Sequence, residues 1–247
     1  MSTSNESYVY GVSLPGAPVP KGKGIGGRKL RLVEADELAA IVSDTVPPVR
    51  AGKEELTTHA RVLQRALENG PVLPMRFGVV MPGDEAIREE LLDPYREVLA
   101  EQLGELRGAV ELHLRATYDE QALMRQVVAG DRRIAALSRE LRGQPSDATY
   151  YAQIELGERI AQAVDAASAR DRTAILDALE PLCLAISVSD PAHEQVACDA
   201  AFLVEEERMP EFDRAVDELG RLGDGRIRFT YTGPHPAYNF VELPAQV

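Results

Sequence analysis

Gly108-Ala109-Val110-Glu111-Leu112-His113-Leu114-Arg115-Ala116-Thr117 is the stretch on which the fold of the second half turns. Val110, Leu112, Leu114 and Ala116 share one face and Glu111, His113 and Arg115 the other, the period-two pattern of a half-exposed strand. Residues 118–141 and 149–179 then carry helical patterns, broken by Arg-Gly-Gln-Pro-Ser-Asp at 142–147. Leu123, Val127, Ile134, Leu137 and Leu141 form a stripe in the first, and Ile154, Ile160, Val164, Ile175 and Leu179 a looser one in the second. Residues 182–189 and 196–204 read as strands around Asp190-Pro191-Ala192-His193. Pro210 opens a helix over 211–222, with Phe212, Val216 and Leu219 inward and Gly223 as its stop, and 226–232 form the last strand. This βαββαβ order is the ferredoxin-like pattern, with an enlarged helical arm over about 118–180.

The first half reads as another α+β unit. Residues 7–12 (SYVYGV), 29–33 (KLRLV) and 38–43 (LAAIVS) have strand composition. Residues 53–68 predict a helix with Leu56, Ala60, Leu63 and Leu67 inward and Asn69-Gly70 as its end, leaving His59 at the border of that stripe. Residues 71–80 (PVLPMRFGVV) are apolar apart from Arg76, whose guanidinium either reaches solvent or meets a carboxylate; a structural salt bridge is the expected reading and a partner contact the sharper one. Asp84 is expected to cap a helix carrying Ile87, Leu91, Tyr95, Leu99 and Leu103, which Pro94 kinks or restarts. The expected fold class is therefore α+β in two domains. These are an N-terminal α+β unit at 1–107 and a C-terminal ferredoxin-like unit at 108–247 that ends in a tail over 233–247.

Composition and motifs exclude several chemistries. With 27 Lys+Arg against 40 Asp+Glu the formal charge is −13, which argues against nucleic acid and anionic membranes as partners. No run approaches the length of a membrane span, and residues 1–7 lack a signal peptide's order, so a cytoplasmic protein is expected. Gly22, Gly24 and Gly27 satisfy GxGxxG, but a Pro-rich loop precedes them and a strand follows, so the segment reads as a hairpin loop rather than a nucleotide site. Cys183 and Cys198 point to opposite faces in the register that joins the apolar residues, so reduced thiols are expected. The four histidines, His59, His113, His193 and His235, are scattered over different elements and signal neither a metal cluster nor a triad. No cofactor is implied, and Glu205-Glu206-Glu207 reads as a solubilising rim. His113 reads as a strand residue solvated by cross-strand charge.

The C-terminal run Phe229-Thr230-Tyr231-Thr232-Gly233-Pro234-His235-Pro236-Ala237-Tyr238-Asn239-Phe240-Val241 stands out in an aromatic-poor chain. Its two readings are a tail that closes its own domain and an apolar docking surface. Together with Tyr8-Val9-Tyr10-Gly11, the His59 helix followed by Val72-Leu73-Pro74-Met75-Arg76-Phe77-Gly78, and the strand around Glu111, this run resembles the gas vesicle protein F/L family. Where that family usually carries Trp-Pro-Pro after Gly-Pro, this chain has His235-Pro236-Ala237. The resemblance implies a non-catalytic, two-domain α+β accessory protein, associated with gas vesicles. Such a protein would bind the small hydrophobic shell protein and other accessory proteins and limit shell-protein aggregation during nucleation. Arg76, Phe77, Gly78, Gly233, Pro234, His235, Tyr238 and Phe240 are the candidate contacts. The alternatives are an interaction scaffold working through the helical arm and an enzyme using His59 and Arg76.

Overall fold

The structure is a computed structural model that describes residues 6–142, 144, 146–191, 193–223 and 225–242. Parts of the expected inter-helix break, of the 190–193 turn and of the tail (143, 145, 192 and 243–247) lie outside the described residues. The chain forms two compact units, residues 1–112 with 203–207 and 233–247, and residues 113–202 with 208–232. The tail expected with the second domain thus groups with the first unit.

In the first unit β1 (Glu6–Ser13), β2 (Leu30–Ala35), β3 (Leu38–Thr45) and β4 (Val72–Pro74) form a sheet in the order β2-β3-β1-β4, and β5 (Val80–Met81) also pairs with β1. β1 pairs antiparallel with β3, from Glu6 opposite Thr45 to Ser13 opposite Ala39, with a bulge between Val9 and Gly11. β1 and most of β3 are buried residue after residue, as strands covered on both faces are. Helix α1 (Lys53–Leu67) packs on β1 and β4. A side chain at Gly11 would lie 2.7 Å from the Leu73 carbonyl and 2.8 Å from Leu63 Cδ2, so only glycine lets α1 and β4 approach β1 there.

α1 buries His59, Val62, Leu63 and Ala66, whereas Leu56 and Ala60 are exposed. The stripe is therefore rotated from the expected one, and His59 lies inside it. Its ring finds polar partners in the core, which an apolar count along the helix cannot register. The expected helix from Asp84 begins as α2 (Gly83–Ala86), widens into a π-helical turn over Ile87–Leu92 and restarts as α3 (Arg96–Glu105) beyond Pro94. Ile87, Leu91, Leu99 and Leu103 are buried as expected. Asp84 does not cap that helix; it pairs instead with Arg31 at 2.6 Å.

The second sheet contains β6 (Ala109–Tyr118), β7 (Ala185–Val188), β8 (Val196–Glu205) and β9 (Ile227–His235) in the order β7-β8-β6-β9, which is the ferredoxin-like arrangement. The arm comprises α4 (Glu120–Gly130), α5 (Arg132–Glu140) and α6 (Ser146–Leu179). The single helix expected over 118–141 is broken at Gly130-Asp131, because Asp131 caps α5 by accepting from the Arg133 and Ile134 amides. Within α6, Ile175 and Leu179 are buried and Ile154 is exposed. Helix α7 (Met209–Leu222) buries Phe212 and Val216, and the Phe212 ring meets Phe202 at 5.2 Å. Both cysteines are free, Cys198 buried and Cys183 partly so. On β6 and β8, Asp199 takes Arg115 at 2.6 Å and His113 at 2.7 Å, the cross-strand charge setting expected for His113.

Candidate functional site

Tyr8 and Tyr10 sit two residues apart on β1 and so share a face, where a buried phenol needs a partner for its hydroxyl. Tyr8 Oη bonds His59 Nδ1 at 2.9 Å and accepts the Gly78 amide at 3.0 Å, and His59 Nε2 lies 3.1 Å from the Met75 carbonyl. A carbonyl can only accept, so Nε2 carries the hydrogen, and Nδ1 takes the Tyr8 proton. Burial lowers the His59 pKa from its usual value and raises that of Tyr8 to about 12, so both groups are neutral in this network. The rings of Tyr8, Tyr10, His59 and Phe77 pack around one another, with centroids 4.8 to 5.9 Å apart. With both ring nitrogens engaged and the ring buried, His59 positions the chain at 75–78 rather than presenting a base to solvent.

That scaffold holds the segment after β4 as a lip. Arg76 is exposed and, among the described residues, makes no ion pair, which corrects the expected salt bridge. The reason is local. The strand ends at Pro74, so Arg76 never enters the apolar environment that would have required a partner. Arg76, Phe77, Gly78, Val79, Val80, Met81, Pro82 and Glu90 line a groove of about 450 Å³. Its walls are mixed polar and apolar, and its two charged residues, Arg76 and Glu90, are of opposite sign.

The tail is tied to its own unit. Glu111, expected on the polar face of β6, is buried; its carboxylate accepts the Asn239 amide and the Asn239 side chain, both at 2.8 Å. Gln64 of α1 donates to the Pro234 carbonyl at 3.0 Å, and Gln102 of α3 exchanges two hydrogen bonds with Glu242. Gly233 has φ of +142°, and a Cβ there would meet Leu112 Cδ2 at 2.7 Å and the Glu111 carbonyl at 3.0 Å. Ala237 is buried, His235 and Phe240 are half-buried, and Tyr238 is 44% exposed. The candidate residues thus fall into two groups, the lip at 76–78 and the tail at 233–240. Helix α1 serves both groups, through His59 and Gln64. A groove between α4 and α5, lined among others by Met124, Arg125, Val128 and Ala135, has a volume of about 810 Å³.

The architecture has known counterparts. The family described as gas vesicle synthesis protein GvpL/GvpF matches residues 6–242. The chain belongs to that family. It is 34% identical to gas vesicle protein F of Streptomyces sp. (strain CB03234), over 96% of this chain and 99% of that one. It is 27% identical to gas vesicle protein L2 of Halobacterium salinarum, over 96% and 91%. Among solved structures it superposes on GvpF of Anabaena sp. PCC7120 with a TM-score of 0.86 at 24% identity, covering 98% of this chain and all of that one. It also superposes on GvpF of Microcystis aeruginosa with a TM-score of 0.78. The α+β class is thereby the fold of the GvpF structures, and the role of this GvpL/GvpF chain is gas-vesicle-related. No helix among the described residues is long and apolar enough to cross a membrane.

The sequence reading placed the family motifs but missed what joins them, namely the Tyr8–His59–Met75/Gly78 network and the Glu111–Asn239 clasp. One signal was present. Two tyrosines two apart on an otherwise apolar strand must direct two hydroxyls into a core, and something there must receive them.

Proposed function

We propose that this protein is an accessory component of gas vesicle assembly that binds the small hydrophobic shell protein, together with other accessory proteins, and limits its aggregation before it nucleates. Membership of the GvpL/GvpF family along residues 6–242 carries this reading. A shell subunit that must associate through apolar surface aggregates when unshielded, and a strongly acidic partner offering a limited apolar contact keeps it dispersed. The lip groove fits that contact, since the half-buried Phe77, Val79 and Val80 offer apolar surface and Arg76 a cation without an internal partner. In this reading Gly233, Pro234, His235, Tyr238 and Phe240 support the contact from the tail, and the protein works in the cytoplasm at growing vesicles.

The test is co-purification of the tagged protein with co-expressed shell protein. Retention of the shell protein, reduced by Arg76→Glu and by Phe77→Ser, is the expected result. Failure of the intact, folded protein to retain it would contradict the proposal. The open groove between α4 and α5 favours one second reading, a scaffold acting through its arm. In that case retention would depend on Met124 and Val128 rather than on the lip.

A further inference from the structure

Charge in this chain is sorted unevenly. All four of its lysines, Lys21, Lys23, Lys29 and Lys53, fall in one short stretch, joined there by Arg28 and Arg50, in a molecule of formal charge −13. The six side chains are exposed, and none forms an ion pair among the described residues. Eight arginines, Arg31, Arg88, Arg96, Arg115, Arg133, Arg159, Arg208 and Arg226, are paired with carboxylates, and the other arginines without an ion pair among the described residues, Arg76 included, are spread along the chain rather than gathered with lysines.

The fold gathers several of these six cations around one loop and the groove beside it. Lys23 and Lys29 bridge across the glycine-rich loop, which closes on a 3-10 turn at Ile25–Gly27. The loop is pinned from beneath, where the Ile25 amide donates to Tyr10 Oη at 2.7 Å and Arg65 donates to the Lys21 carbonyl. Beside it lies a groove of about 380 Å³, lined by Ile25, Val46, Pro48 and Val49 and by Arg28 and Arg50. Val46 is 75% exposed, so the groove offers an apolar side chain to solvent beside the cations. The one acid lining the groove, Glu55, folds back over Gly52 at the start of α1, where it meets the positive end of the helix rather than the basic cluster.

We propose that this end of the first unit docks an acidic segment of a partner protein, which sets carboxylates along the basic rim and an apolar side chain in the groove. Charge complementarity selects the occupant, because unpaired cations on an acidic protein attract anions without competition from internal carboxylates. A nucleic acid fits less well. The groove lining has no aromatic ring on which a base could stack, Glu55 faces a phosphate backbone unfavourably, and the rest of the surface repels an extended polyanion. A second copy of this chain brings the same net negative charge. The site is distinct from the lip groove and does not depend on the proposed binding of the shell protein.

The test uses the full chain and fluorescent peptides in which Glu and Leu alternate at strand or helix spacing, with Lys-for-Glu versions and oligodeoxythymidine as comparisons, read by anisotropy. The Glu-Leu peptides should bind and the Lys-Leu peptides should not. Arg28→Glu/Arg50→Glu should weaken binding by about tenfold or more, and added salt should weaken it as well. Both positions are exposed, so the variant should melt as the wild type does by circular dichroism. Arg214→Glu/Arg221→Glu, the same charge change at exposed positions of α7, should leave binding intact. The proposal is overturned if no Glu-Leu peptide binds, if the double variant binds as well as the wild type, if oligodeoxythymidine binds in preference, or if the double variant merely dissolves a dimer of this chain.

Discussion

At the scale of single residues, Tyr8 is the side chain on which the lip depends. Its hydroxyl serves His59 Nδ1 and the Gly78 amide at once, so Tyr8→Phe keeps the ring packing and leaves a buried acceptor and a donor without partners. A loss of about 1–3 kcal/mol is expected for such a change, measured as a lower urea midpoint. An unchanged midpoint would mean that water or a shifted backbone serves those groups instead. His59 contributes a pH dependence of definite sign. Its pKa in the folded protein is lowered by burial, so the unfolded chain binds the proton more readily. The stability it contributes is complete above its ordinary pKa of about 6.5 and declines as the pH falls below that value. Between about pH 7.5 and pH 5.5 the urea midpoint of the wild type should therefore fall further than that of His59→Gln. Parallel curves would contradict a buried, neutral histidine.

At the scale of elements, the clasp between β6 and the tail makes a separate prediction. Glu111→Gln replaces one of the two acceptor oxygens facing Asn239 with an amide donor, so the tail should loosen. Faster proteolytic nicking between residues 233 and 242 is the expected outcome, and an unaltered cleavage rate would show that Gln64 and Gln102 suffice to hold it. What could be read from the sequence divides along the same line. The alternation of β6, the strand of Tyr8 and Tyr10, the edge loop of glycines and the βαββαβ order were all legible, because each follows from residues adjacent in the chain. The face of α1 was misread, since His59 is buried by partners sixteen and fifty-one residues away. Glu111 was misread for the same reason, its partner lying 128 residues downstream. Arg76 was misjudged because the apolar run at 71–80 was taken as continuous, although the strand within it ends at Pro74. The break at Gly130-Asp131 had a readable sign, an Asp placed to cap the residues that follow it.

At the scale of the whole molecule, a chain of formal charge −13 has a few fixed points where that acidic character is interrupted. The lip at Arg76–Gly78 stands on the buried rings of Tyr8, Tyr10 and His59, and the tail is held by Gln64, Gln102 and Glu111. In the proposed role, rigid support of a small apolar contact would suit a shell protein held loosely and released, since a larger contact would compete with shell assembly itself. The most direct test of this account is light scattering from freshly diluted shell protein, followed with and without an equimolar amount of this protein. The account predicts scattering that begins later and rises less in its presence, an effect diminished by Arg76→Glu and Phe77→Ser. Identical scattering traces with and without the folded protein would contradict it.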